Sequence, residues 1–141
     1  MKIALYMTLG AALAAPVGAG AAVIDGKAPI ICATLEAVQC SRAPGSSHTC
    51  ARGVAGSFDL PQFLRLDFDK KSVTTALDSG VKKTSDIGST SRANGHVIVQ
   101  GVDSGGGFGW SLVVEENTGR MTASAIGDEE GALIFGACTP L

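Results

Sequence analysis

From His96 to Cys138 the chain alternates between apolar runs and polar turns. The runs fall at 96–102, 109–115, 120–127 and 132–138, and Gly, Asp, Asn and Glu fill the three gaps. Short runs of this length with turn residues between them predict an antiparallel meander. Within it Trp110, Leu112 and Val114 share one face, opposed by Ser111, Val113 and Glu115. Met121, Ala123 and Ala125 continue the inward face, and Leu133, Phe135 and Ala137 are read as its last members. Asn117-Thr118-Gly119 suits a turn whose glycine takes the left-handed conformation.

Upstream, Leu64, Leu66 and Phe68 alternate with Arg65, Asp67 and Asp69, so one side of that strand faces core and the other faces water. Val73, Thr75 and Leu77 form a second alternating run. The polar segment VKKTSDIGSTSR has only Val81 and Ile87 to bury and is read as an edge strand. Asn94-Gly95, two residues that tolerate positive φ, predicts a tight hairpin. At 30–40 the pattern fits strand or helix. The flanking cysteines favour strand, with Ile31, Ala33, Leu35 and Ala37 on one face. Ser41 to Ser57 is rich in Gly, Ser and Arg and is read as a long loop, and 22–29 as a flexible lead-in. The expected fold is all-β, with about eight strands in one domain over 30–141. A closed barrel is favoured over a two-sheet sandwich, because closure removes exposed edges.

The N-terminus changes where this domain is expected to live. Met1-Lys2 precedes an apolar run from Ile3 to Ala15 and a small-residue stretch, APVGAGAAV. That is the layout of a secretory signal peptide over 1–21, cleaved near Gly20 to Ala22. The run falls short of the ~20 residues a membrane span requires. No cysteine stands at the cleavage region to carry a lipid. Removing Lys2 with this segment leaves 10 basic against 13 acidic side chains, with no basic patch interleaved with aromatics. Nucleic acid is therefore not an expected partner.

In an oxidising compartment Cys32, Cys40, Cys50 and Cys138 should form two disulfides, for which three connectivities exist. Cys40 and Cys50 flank the loop SRAPGSSHT, which one bridge would close. Cys32 with Cys138 would then tie the first strand to the last, worth ~4 kcal/mol in the chain-entropy model. We favour this pairing, and the other two remain open.

Candidate chemistry is sparse. Cys32, Cys40, His48 and Cys50 are a possible zinc set without the usual C-x2-C spacing, and oxidation would remove their thiolates. Serine hydrolysis needs a base and an orienting carboxylate. Only His48 and His96 are available, and Ser41, Ser46, Ser47 and Ser111 lie in no nucleophile elbow. Asp67 with Asp69, and Asp128, Glu129 and Glu130 together, are carboxylate groupings that a glycosidase or a calcium site would use. A solvated strand face and a charged turn account for them more simply. Gly105-Gly106-Gly107 lacks the lysine and helix of a phosphate loop. No metal, cofactor or catalytic residue is expected. Trp110 reads as core, or as a stacking surface if partly exposed.

The segments FLRLDF, VIVQG, GWSLVVEENTGRM and FGAC resemble a group of small exported proteobacterial proteins. That group shares a front cysteine pair, a Leu-Pro-x-Phe strand, a Leu/Val-Gln-Gly strand, a Trp-Ser strand, a Thr-Gly-Arg/Lys-Met turn and a terminal Phe-Gly-Ala-Cys. The resemblance spans nearly all of the mature chain and implies export without implying an activity. The longer glycine turn SGGGFG departs from it. Ser104, Gly107 and Phe108 also have the spacing of the inhibitory loop in periplasmic lysozyme inhibitors, without its basic and aromatic partners. The expected function is a periplasmic or secreted, monomeric, non-catalytic binding protein whose partner is a protein or small ligand. Its interaction loop would be Ser104, Gly105, Gly106, Gly107 and an exposed Phe108. A hydrolase inhibitor is the first alternative, and an enzyme using His96 or an acidic pair is the second. A cavity inside the barrel would favour small-ligand binding, whereas a filled core would move function to the loops.

Overall fold

The computed structural model describes residues 23–43, 45, 47–76, 80, 82–103, 105 and 107–141. The expected signal peptide, with Pro44, Ser46, Leu77, Val81, Ser104 and Gly106 among other residues, lies outside them. Nine strands follow in order: β1 (Ile30–Arg42), β2 (His48–Val54), β3 (Phe63–Asp67), β4 (Ser72–Ala76), β5 (Lys82–Ala93), β6 (His96–Asp103), β7 (Phe108–Glu115), β8 (Arg120–Ile126) and β9 (Glu130–Pro140). Strands β3 to β9 pair each with the next, and β1 closes the ring by pairing with both β3 and β9. The result is a closed eight-stranded antiparallel barrel with β2 as an extra strand. Strand β5 pairs with β4 over Lys82–Asp86 and with β6 over Asp86–Ala93. The edge expected from its polar composition holds in part: among the described residues Ile87 to Ala93 have no strand partner on the β4 side, and nearly all of β5 is exposed.

The long loop expected at 41–57 is a hairpin arm. Residues Glu36 to Arg42 of β1 pair with His48 to Val54 of β2, and Cys40 stands directly opposite Cys50, to which it is disulfide-bonded. Small and polar residues suffice there, because β2 is exposed along nearly all its length and has no core to fill. Beyond it a 3-10 turn, Ala55–Phe58, leads back toward β3.

A bulge between Thr34 and Glu36 divides β1. Before it, Ile30 to Ala33 pair with β3; after it, the same edge pairs with β2. The inward residues are therefore Ile30, Cys32 and Thr34, then Ala37 and Gln39, in place of the uniform face from Ile31 to Ala37. Thr34 secures this junction, donating its backbone N–H to the Gln62 carbonyl at 2.9 Å and its hydroxyl to the Pro61 carbonyl at 2.6 Å.

Strand β9 is in the opposite phase from the one expected. Leu133 and Phe135 are 41% and 39% exposed, and Ala132, Ile134, Gly136 and Cys138 point inward. Cys138 is held opposite Cys32 by their disulfide, and a side chain at Gly136 would run into the Ala33 carbonyl. With apolar residues on both sides of ALIFGAC, these two constraints set the phase.

The hairpin and turn glycines behave as expected: Asn94 and Gly95 have φ of 51° and 76°, and Gly119 has 70°. One end of the barrel is tightly filled by Ile30, Cys32, Leu66, Val97, Val99 and Val114. Ile24, from the segment expected as a flexible lead-in, is 2% exposed in this same core. Its N–H bonds the Glu116 carbonyl at 3.0 Å. Beside it Arg92 donates two hydrogen bonds to Glu116, at 2.8 and 2.7 Å. Among the described residues no helix is long and apolar enough to cross a membrane.

Candidate functional site

The opposite end of the barrel is not filled. The register of the strands shows why. Around the closed half, inward neighbours run Val97, Val114, Met121; one row on they run Val99, Leu112, Ala123, Ile134, Ala37. The next row is Gly101, Trp110, Ala125, Ala132, Gln39. One large ring thus stands beside Gly101, Ala125 and Ala132, which have little or no side chain, and side-chain volume runs short toward this mouth.

The space left is a cavity of about 390 Å³, near the small end of the ~300–1,000 Å³ that ligand pockets occupy. Leu64, Val73, Leu112 and Ile134 form its apolar depth. Trp110 forms one wall. Its ring lies over Gly101, where a Cβ would run into it, and its Nε1–H donates to the Ser85 hydroxyl at 2.9 Å. The indole nitrogen is thereby satisfied and the ring orientation fixed, which makes it a preformed stacking surface. Phe58, Leu60 and Pro61 close the side where β3 has ended and β2 has taken over the β1 edge. The rim carries Asp59, Lys83, Asp103 and Glu130, with Gln39 Nε2 donating to Glu130 at 3.4 Å.

Among the described residues of the expected interaction loop, Phe108 meets this cavity. Phe108 is half-buried rather than exposed: its ring packs where a Cβ at Gly127 would stand, and it lines the cavity. Phe108 shares the inward parity of Trp110 in β7, which turns it into the mouth. Gly105 and Gly107 are exposed, with Asp103 accepting the Gly105 N–H on its carboxylate and the Gly107 N–H on its carbonyl. Ser104 and Gly106 lie outside the described residues, and with Ser104 one of the three residues of the inhibitor-like spacing.

The other candidate residues are dispersed. All three cysteines of the possible zinc set are in the Cys32–Cys138 and Cys40–Cys50 disulfides, which is the favoured connectivity. His48 is exposed in β2, and His96 is half-buried with Nδ1 2.9 Å from the Asn94 carbonyl. Neither lines the cavity. Ser111 faces outward, its hydroxyl 3.0 Å from that of Ser124. Asp67 accepts the Lys70 N–H at 3.0 Å, and that bond holds its carboxyl below the usual range, whereas Asp69 sits in the following turn. Glu115 is likewise lowered, by the Thr118 hydroxyl first and then by turn N–H groups. These shifts come from turn hydrogen bonds, not from burial in a pocket, and give no general acid or base at the cavity.

Sequence reasoning placed Ala125 on the inward face but marked none of Ser85, Ala125 and Ala132 as a site residue, because each is unremarkable by itself. Their meaning appears only when register places them around Trp110. The chain matches no protein-family model and no characterised protein, and its function is read from the barrel.

Proposed function

We propose that this chain is an exported, non-catalytic binding protein of the periplasm or the medium. As a monomer it takes one small, largely apolar molecule into the open end of the barrel. The observation that carries this reading is the combination of a filled closed half with a cavity of about 390 Å³ walled by a fixed Trp110. A barrel needed only as a frame would be filled along its whole length, since unfilled volume costs stability. The two disulfides fit an oxidising destination. The inward turn of Phe108 favours the cavity over the glycine tip as the place of contact.

Trp110 is the sole tryptophan, so the protein carries its own reporter. Titration with octanol should give a saturable change in tryptophan emission at one molecule per chain. Ala125→Leu, placed across the strand pair from Trp110, should abolish the change while the protein stays folded by circular dichroism. An unsaturable or absent response, or undiminished binding in the folded Ala125→Leu variant, would count against the reading.

A further inference from the structure

We propose that the ligand is a cationic amphiphile: an apolar chain or ring lying in the cavity with a quaternary or protonated amine at the mouth. This rests on the reading of the cavity as a binding site and adds its charge preference.

Two observations converge on it. The mature chain has six aromatic side chains, and three of them, Phe58, Phe108 and Trp110, line this one cavity. Aromatic faces attract a desolvated cation through their quadrupole. Among the described residues the rim adds three carboxylates, Asp59, Asp103 and Glu130, against the amine of Lys83. None of these four is in an ion pair among the described residues, whose ion pairs are Arg52–Glu36, Lys70–Asp67 and Arg92–Glu116. The turn that delivers Glu130 also carries Asp128 and Glu129, and like charges gathered at an opening raise the local concentration of a cation. An anionic head would meet three carboxylates where a neutral one meets none of that cost, so the order of preference is cation, neutral, anion.

The test is a set of Trp110 emission titrations with octyltrimethylammonium, octanol and octanoate, which share one chain length. The cation should bind about tenfold more tightly than octanol, and octanoate most weakly. The triple variant Asp59→Asn, Asp103→Asn, Glu130→Gln keeps hydrogen-bonding groups and should reduce the cation preference to about threefold or less. Each single change should lower the ratio part of the way, which serves if the triple variant does not fold. Equal binding of cation and octanol, tighter binding of octanoate, or an unchanged preference in the variants would overturn the inference while leaving the cavity as a site. No response to any of the three would overturn both.

Discussion

Trp110 lies across Gly101 because only glycine leaves room there: a Cβ would meet the indole and the Asp86 carbonyl together. Gly101→Ala should therefore displace the ring, break its bond to Ser85 and cost about 1–3 kcal/mol through overpacking. Chemical denaturation read alongside tryptophan emission checks both effects at once. Glu116 makes a second prediction at this scale. The Arg92 fork, first, and nearby His96 hold its carboxyl below the ordinary 4.5, against a smaller opposing effect of desolvation. Folded Glu116 binds its proton less readily than unfolded Glu116. Its contribution to stability is thus complete above pH 4.5 and is lost as pH falls through the lowered folded value. Asp25, Asp67 and Glu115 are shifted in the same direction. Glu116→Gln should accordingly weaken, without abolishing, the fall in melting temperature on acidification, measured between about pH 6 and about pH 3 in salt-matched buffers.

At the scale of elements, hydrophobic alternation located the strands of the meander and their turns, because alternation and turn chemistry are local. It failed for the phase of β9, where both faces are apolar and only the partner strand decides which turns inward. It failed also at the Thr34–Glu36 bulge, which no local pattern marks, and at β2, whose exposed arm has no alternation to show. The corrected phase is testable. Ile134→Ala should cost about 2–5 kcal/mol and Phe135→Ala less than about 1 kcal/mol; the original phase requires the reverse order in urea denaturation. The two disulfides differ in the same physical terms. Cys32–Cys138 spans 106 residues in the buried end of the barrel, and Cys40–Cys50 spans 10 on an exposed hairpin. Loss of the first pair by Cys→Ala substitution should cost about 4–5 kcal/mol and loss of the second about 3 kcal/mol in the chain-entropy model.

For the whole molecule, the division into a filled end and an open mouth was present in the chain but distributed over four strands. Val97, Val99, Val114 and Met121 fill one end; Gly101, Ala125 and Ala132 leave the other empty. Reading that gradient requires knowing which residues are neighbours around the barrel, and register is non-local. The disulfide frame and the barrel class needed no such knowledge. The cavity did. Its role as a binding site is tested most directly by mapping amide and methyl chemical shifts of the isotope-labelled protein on addition of octyltrimethylammonium. Saturable shifts should appear at Leu64, Val73, Trp110 and Ile134, leaving Val97, Val99 and Val114 at the closed end unmoved. Shifts confined to the outer face of the sheet, or none at all, would contradict a ligand in the mouth of the barrel.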